Sequence, residues 1–182
     1  MDIILKCNNL TFRRPTLDDV EELVVLKNNK EASRFLGGNT PIYTVEGMKR
    51  WVEFHNNNKE EVLLVIYDEN AHKLIGHVGL YKIDEYSKKA EFGILLADDS
   101  SRGKGYGTMC TQMMVDYAFE VLKLHKVYAE IIRENKASEK MFKKCGFIVD
   151  GILRDDIFKN DKYNDVLVMS ILQNDRYERI RK

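Results

Sequence analysis

The chain has 182 residues, 44% hydrophobic and 32% charged, a composition typical of one soluble globular domain that spans residues 1–182. Its 29 basic and 29 acidic side chains cancel, which argues against nucleic acid or an anionic membrane as a partner. The longest continuous apolar run, Val62 to Tyr67, is far too short to span a membrane, and the first residues do not resemble a cleavable signal, so we expect a cytoplasmic protein.

The cysteines and histidines give no sign of a metal site. Three cysteines are an odd number and lie in no metal-binding spacing, so we expect reduced, buried thiols at Cys7, Cys110 and Cys145. The four histidines are far apart in the sequence, and we interpret them as structural or surface residues: His55, His72, His77 and His125.

The first third of the chain predicts one strand and two helices. Alternating residues from Asn9 to Arg14 indicate a strand, and Thr16 followed by Asp19 is typical of the start of a helix. An irregular loop is expected over Ser33 to Tyr43, where many proteins shape a binding pocket. Thr44 should then cap a second helix anchored by Met48, Trp51, Val52 and Phe54.

Two strands and short turns follow, and they lead into a third strand. Glu61 to Asp68 and Leu74 to Ile83 have the β-branched, apolar character of buried strands, and the next strand begins at Ala90. Strands joined by short turns form an antiparallel meander. Gly76 and Gly79 within the second strand suggest a bulge or a close packing contact.

The stretch from Ala90 to Leu124 carries the strongest functional signal. A short apolar strand is followed by three glycines in five residues, at positions 103, 105 and 107, and then by an apolar run at helical spacing. A glycine turn at the N-terminus of a helix offers backbone N–H groups and a positive dipole end to an anion such as phosphate. Because a helix returns the chain, the strand Lys126 to Arg133 must lie parallel to the Ala90 strand.

The last part of the chain predicts a short helix and a hairpin. Asn135 should cap a helix that continues through Lys144 and ends at Cys145-Gly146. Two strands, Phe147 to Ile157 and Asp165 to Leu172, are joined by a turn at Asn160-Asp161. The tail from Asn174 to Lys182 is charged, and we expect it at the periphery.

Two nucleotide-binding motifs fail on spacing. A P-loop requires Gly-Lys-Ser/Thr, which does not occur in this sequence, and Thr108 stands five residues beyond Gly103. A dinucleotide fingerprint requires a third glycine three residues after Gly105, but that position is again Thr108.

The segment Arg102-Gly103-Lys104-Gly105-Tyr106-Gly107 instead resembles the acyl-CoA-binding motif of the GCN5-related N-acetyltransferases, Gln/Arg-Gly-x-Gly-x-Gly/Ala. Further segments are similar to that family in its own order, among them Glu134 to Ser138 and Lys143 to Phe147. Within the family the chain most resembles the ribosomal-protein N-terminal acetyltransferases and the spermidine acetyltransferases. The resemblance implies an α/β fold with a mixed, splayed sheet and helices on both faces.

The resemblance also implies acetyl-CoA as cosubstrate and assigns its binding residues. The amides from Arg102 to Thr108, including Lys104 and Tyr106, would hold the pyrophosphate. The pantetheine arm would pair like an added strand with Ile94, Leu95 and Leu96. Asn135 would hydrogen-bond this arm, cap the helix or do both, and Ser138 lies in the same segment.

Glu91 is the candidate catalytic base. An alkylamine with a pKa of about 10.4 is almost fully protonated at pH 7, and only its neutral form attacks a thioester. Glu91 is the one carboxylate in an otherwise apolar strand just before the glycine turn. The alternative is an ordinary strand residue that faces outward.

The residue expected to protonate the leaving thiolate is replaced. Many relatives have a tyrosine four residues before the Gly-Phe pair, and here that residue is Phe142. Another group such as Tyr128 or Tyr163 could serve, or water, or the thiolate could leave unassisted because thiol pKa values lie near 8.5.

The sequence therefore predicts an N-acetyltransferase that works by direct attack of a primary amine within a ternary complex. The acceptors considered are a protein or peptide N-terminus, which we favour slightly, a polyamine such as spermidine, an amino sugar and an aminoglycoside. The alternative of another class is a non-catalytic acyl-CoA-binding regulatory module. Assembly as a homodimer is left open.

Overall fold

The computed structural model describes residues 4–37, 41–97 and 105–180. Within these ranges the chain forms eight strands and six α-helices, with a short 3-10 helix over Leu17–Asp19 before the first of them. In chain order they are β1 Ile4–Cys7, β2 Leu10–Arg13, α1 Val20–Asn28, α2 Lys30–Ser33, α3 Val45–Asn57, β3 Val62–Asp68, β4 Lys73–Asp84, β5 Lys89–Leu96, α4 Tyr106–Glu120, β6 Lys126–Ile132, α5 Lys136–Cys145, β7 Ile148–Lys159, β8 Lys162–Leu172 and α6 Gln173–Ile180.

All eight strands belong to one mixed sheet in the order β1-β2-β3-β4-β5-β6-β8-β7. The strands β5 and β6 are parallel, and every other neighbouring pair is antiparallel. The predicted meander β3-β4-β5 and the predicted parallel return to β6 are both confirmed, because a helix between two strands brings the chain back in the same direction.

Helices cover the sheet on both faces, as predicted. One face packs against α4 and α5 through a large apolar core that includes Phe92, Met114 and Phe142. The opposite face packs against α1 and α3 through a smaller core that includes Leu23, Met48 and Val52. The alternation of side chains along β5 therefore sends Phe92 toward α4 and α5, and Leu95 toward α1 and α3.

Local sequence signals account for the helix ends. The Asp19 carboxylate accepts a hydrogen bond of 2.7 Å from the backbone N–H of Thr16, as a capping box requires. Thr44 accepts one of 3.1 Å from the N–H of Gly47 and starts α3. Gly146 ends α5 with a φ of 104°, in the left-handed region where glycine is favoured.

The structure corrects the sequence analysis at three places. β1 was not predicted, because four residues give too little periodicity to detect. The tail is a helix, α6, that Arg176 attaches to Asp116 and Glu120 of α4. Phe54 was expected to anchor α3, but its side chain is 62% exposed, and Met48 and Val52 are the buried residues of that helix.

No helix in the described ranges is both long enough and apolar enough to cross a membrane.

Candidate active site

The sheet opens into a wedge between β5 and β6. The two strands pair through three positions only, Lys89 with Lys126, Ala90 with Val127, and Glu91 with Tyr128. Beyond Glu91, β5 continues to pair with β4, and β6 continues to pair with β8. The edge of β5 from Ile94 to Leu96 therefore faces the wedge, where an extended, amide-rich chain can add as a strand.

A groove of about 450 Å³ lies at this wedge. It is bordered by the end of β5, the first turn of α4, the first turn of α5, and residues of α2 and the loop that follows it. Its lining residues are Glu31, Ala32, Phe35, Leu36, Ile94, Leu95, Leu96, Gly105, Tyr106, Gly107, Thr108, Asn135, Ala137, Ser138 and Met141.

The groove brings together nine of the residues that the family resemblance assigned to CoA. They are Ile94, Leu95, Leu96, Gly105, Tyr106, Gly107, Thr108, Asn135 and Ser138. The other three, Arg102, Gly103 and Lys104, lie outside the described residues. Residues 40 positions apart in the sequence thus meet around one cavity, while their role in binding CoA stays a prediction.

The N-terminus of α4 is shaped for close approach. Gly105 precedes the helix with a φ of 81°, a conformation that side chains rarely adopt. A Cβ on Gly107 would lie 2.9 Å from Sδ of Met141, so this position is tightly packed from the α5 side. Since the first turn of a helix has N–H groups without intrahelical acceptors, this end of α4 fits an anion such as a pyrophosphate.

The hydroxyl of Tyr106 fixes this helix end to the sheet. It donates a hydrogen bond of 3.2 Å to Oδ2 of Asp68, and it accepts one of 3.3 Å from the side-chain amide of Asn9. The Asp68 carboxylate also accepts bonds from the N–H groups of Asn70 and Ala71. The first turn of α4 is therefore tied to the ends of β2 and β3.

Asn135 performs the capping role that the sequence suggested. Its side-chain oxygen accepts a hydrogen bond of 3.1 Å from the N–H of Ser138, and both residues line the groove. Capping uses the oxygen of the amide, so the same side chain keeps its NH₂ group as a donor.

Glu91 occupies the last paired position before the wedge opens. Its side chain is 22% exposed, and its Oε2 lies 2.6 Å from Nζ of Lys82 in an ion pair. Its strand neighbours are Tyr81 on β4 and Tyr128 on β6. A carboxylate at this point is near both the wedge and open solvent, as a base for an incoming amine requires.

The carboxyl group of Glu130 on β6 is affected by the charge of Glu91. Burial, the charge of Glu91 and the charge of Asp156 raise the pKa of Glu130 above its ordinary value, although Lys82 acts in the opposite direction. Burial and the same Glu91 charge raise the pKa of the Tyr128 hydroxyl. Sequence reasoning did not single out Glu130 or Lys82, because neither belongs to a motif.

Phe142 is a core residue. It is only 3% exposed, and its ring packs edge-on against Phe92 and Phe147 at centroid distances of 5.7 and 4.9 Å. Of the two alternative acids, Tyr163 is 65% exposed and packs on Phe158 in the hairpin, whereas Tyr128 lies beside Glu91. Tyr128 is therefore the better placed hydroxyl.

The loop after α2 and the hairpin of β7 and β8 meet beside the groove. Nζ of Lys159 donates to the carbonyl oxygens of Ser33 and Leu36, at 3.2 and 2.5 Å. This contact joins the hairpin to the loop that the sequence predicted over Ser33 to Tyr43.

Two histidines pack against Trp51 of α3. The Trp51 ring lies 4.3 Å from the His55 ring and 5.7 Å from the His77 ring. His55 pairs with Glu61, and burial holds the pKa of His77 well below its ordinary value. Over residues 4–37, 41–97 and 105–180, no three His, Cys, Asp or Glu side chains are arranged to hold a metal ion.

Comparisons with known proteins agree with this geometry. The family described as "Acetyltransferase (GNAT) domain" matches residues 9–148. The spermidine N(1)-acetyltransferase of Vibrio cholerae is 30% identical over 167 residues, 92% of this chain and 95% of that protein. The putative ribosomal N-acetyltransferase YdaF of Bacillus subtilis is 30% identical over 111 residues, 61% of this chain and 58% of that protein.

A solved structure extends the similarity to three dimensions. The spermidine N-acetyltransferase of Vibrio cholerae, crystallised with CoA and spermine, superposes with a TM-score of 0.85 at 28% identity, over 93% of this chain and 98% of that one. The chain therefore belongs to the GNAT acetyltransferase family and is an acetyl-CoA-dependent N-acetyltransferase, as its glycine motif predicted.

Proposed function

We propose that the enzyme acetylates a primary amine of a small polyamine, with Glu91 as the general base at the mouth of the wedge. The amine reaches Glu91 from the side of the α2 loop and the β7–β8 hairpin, while acetyl-CoA lies in the groove. Acetyl-CoA supplies the activated acetyl group, and the side chains of the enzyme hold and deprotonate the amine.

The observation that carries this proposal is the grouping of carboxyl groups where the strands separate. After burial, the charges of Glu91 and Asp156 both contribute to the raised pKa of Glu130, although Lys82 opposes them. Carboxylates brought together in this way are stabilised by a cation, and a polyamine carries several. The similarity to a spermidine acetyltransferase over almost the whole chain supports the same acceptor class.

Deprotonation of the amine is the step that needs the base. For a primary alkylamine with a pKa of about 10.4, forming the neutral amine at pH 7 costs about 4–5 kcal/mol. Glu91 accepts the ammonium proton before the attack, so that the nitrogen lone pair can add to the thioester carbon. The nitrogen loses a second proton as the C–S bond breaks and the thiolate leaves, and the Glu91 carboxylic acid returns its proton to solvent.

CoA binding uses the two ends of the groove. The pantetheine arm pairs with the free edge of Ile94 to Leu96, and the N–H groups at the start of α4 face the pyrophosphate. Arg102, Gly103 and Lys104 belong to this proposal on the glycine motif alone. For the leaving thiolate we propose Tyr128 as proton donor, since Phe142 has no proton to give.

Release of free thiol from acetyl-CoA with spermidine tests the role of Glu91. Glu91→Gln should lower kcat by about 10²–10⁴-fold, the usual contribution of a general base, with an unchanged KM for acetyl-CoA. Glu85→Gln, in the exposed turn before β5, is the matched control and should behave as wild type. Full turnover and an unaltered pH profile in Glu91→Gln would refute the assignment of the base.

A panel of amines tests the acceptor. Spermidine should exceed a monoamine of similar length in kcat/KM, and Glu130→Gln should remove most of that difference. If spermidine is not acetylated and a peptide with a free N-terminus is, the polyamine proposal is wrong.

A protein or peptide N-terminus is the second candidate. The similarity to the putative ribosomal N-acetyltransferase YdaF favours it, since that name points to a protein acceptor. An α-amino group has a pKa of about 7.7–8.0, so its deprotonation at pH 7 costs only about 1 kcal/mol. A peptide would therefore depend much less on Glu91, and the size of the Glu91→Gln effect separates the two acceptors.

We also propose that residues 1–182 form one domain and that copies of it associate. The edge strand β7 exposes several apolar side chains, which association would cover: Ile148, Val149, Ile152 and Leu153. Light scattering coupled to size-exclusion chromatography would measure the mass in solution, and a mass of one chain at all concentrations would rule out association.

A further inference from the structure

Lys82 lies in an irregular part of β4, directly beside the proposed base. The register between β4 and β5 shifts between Tyr81 and Asp84. Lys82, within this shift, has a φ of 50°, in the left-handed region that residues other than glycine rarely adopt. Such sparsely populated conformations persist where the surroundings fix them, and they concentrate at functional sites.

The consequence of this backbone is the position of the Lys82 ammonium. Nζ lies 2.6 Å from Oε2 of Glu91, while the Lys82 side chain as a whole is 70% exposed. The close contact with Glu91 and its charge raise the pKa of Lys82 against the opposing effect of burial, with smaller contributions in the same direction from Tyr128 and Glu130. Lys82 is thus a charged ammonium held by the same groups that we propose for the acceptor.

The position of the Lys82 ammonium beside the Glu91 carboxylate also suits the amine of an acceptor. A primary ammonium on a flexible alkyl chain is common to a lysine side chain and to a polyamine terminus. Two ammonium groups on the same carboxylate oxygen repel each other, so an acceptor amine competes with Lys82 for Oε2 of Glu91. Binding of the acceptor at this oxygen therefore displaces the Lys82 ammonium.

We propose that the Lys82 ammonium occupies the position at Glu91 that the acceptor amine takes during the reaction. The incoming amine displaces this ammonium, and Lys82 thereby raises the KM for the amine. This inference rests on the proposed function of Glu91. The high exposure of Lys82 makes it suitable for such a role, since an exposed ion pair is weak and the freed side chain can return to solvent.

A purely structural role for Lys82 and the proposed role predict changes of opposite sign in the KM for the amine. If Lys82 served only to hold Glu91 in position, its removal would lower kcat or raise the KM for the amine. A displaced competitor instead lowers the affinity for the amine in the wild-type enzyme, so that its removal strengthens binding. The sign of the change in KM therefore distinguishes the two roles.

Three variants test the proposal with spermidine as the acceptor. Lys82→Met keeps an unbranched side chain at the strained φ but removes the charge, and it should lower the KM for spermidine by about two- to fivefold, or about 0.4–1 kcal/mol. The KM for acetyl-CoA should not change. Lys82→Arg keeps the cation and should resemble wild type.

Lys89→Met is the matched control, because Lys89 is an exposed lysine beside the same surface depression as Lys82. It lowers the net charge of the region equally, so it measures any general electrostatic effect on a cationic acceptor. Calorimetric titration of spermidine into each variant without acetyl-CoA gives the affinity independently of turnover.

An unchanged or increased KM in Lys82→Met, or the same decrease in Lys89→Met, would overturn the proposal. Failure of the proposed function gives a different result, namely full turnover in Glu91→Gln. When Glu91→Gln is inactive and Lys82→Met binds spermidine no more tightly than wild type, only the role of Lys82 is refuted.

Discussion

Gly76 offers a direct test of how the end of β5 is held. It lies in the middle of β4, where its strand partners are Ile66 and Leu96. A Cβ at this position would overlap the carbonyl oxygen of Leu95 and would lie 3.0 Å from Cδ2 of Leu96. Gly76→Ala therefore forces β4 and β5 apart at the residues that line the groove.

The expected cost follows from the kind of atom that is displaced. A flexible side chain could turn away, but the Leu95 carbonyl belongs to the backbone of a central strand and cannot move without disturbing its ladder. Overpacking of this kind costs about 1–3 kcal/mol, and a backbone contact belongs to the upper part of that range. For a domain of this size, about 2–3 kcal/mol corresponds to a fall in Tm of about 4–12 °C.

Thermal denaturation followed by circular dichroism measures this change, and the KM for acetyl-CoA should rise in the same variant. Gly151→Ala is the control, since no atom lies within 4 Å of a Cβ built there. Its stability should stay within about 1 kcal/mol of wild type. If Gly76→Ala melts within about 2 °C of wild type, the close approach of β4 to β5 described above is refuted.

Three further predictions concern pH and helix capping. Unfolded His77 takes up a proton below pH of about 6.5 while the buried native imidazole does not, so stability should fall as the pH drops from 6.5 toward 5, and His77→Gln should flatten that slope in thermal melts. Burial opposes ionisation of Asp19, but hydrogen bonds from Arg13 and Thr16 outweigh it and lower the pKa of Asp19. Its contribution to stability is thus complete above about pH 4 and lost as the pH falls through the native pKa, and Arg13→Met should shift acid unfolding to a higher pH. Thr44→Ala removes the N-cap of α3 and should cost about 1 kcal/mol, or about 2–4 °C in Tm, whereas no change would show that water replaces the cap.

The sequence predicted much of the fold because its signals are local. Periodicity and turn residues located the meander, α4 and the C-terminal hairpin, whose turn residues Asn160 and Asp161 have φ values of 53° and 59°. β1 was missed because four residues show too little periodicity, and α6 was missed because a strongly charged helix depends on its contacts with α4, more than 50 residues earlier.

The candidate site was likewise predicted from the sequence only in part. The glycine motif and Asn135 could be recognised because each has a fixed spacing, and the structure brings the described members together. Lys82 could not be found, because alternation along a strand predicts which way a side chain points only where the strand is regular. The shift between Tyr81 and Asp84 changes that direction, and it can be seen only after β4 is paired with β5.

The short parallel contact between β5 and β6 has a consequence for where the protein begins to unfold. Three residue pairs form the only strand-to-strand seam that the described residues show between the half-sheet β1 to β5 and the half-sheet of β6, β8 and β7. Every other ladder is antiparallel and has at least four residue pairs, so the seam has the fewest strand pairings and is where sub-global unfolding should begin. A molecule that spans the wedge would contact both half-sheets across this seam, and a rising cosubstrate concentration would then increase the free energy of unfolding as well as the rate of turnover.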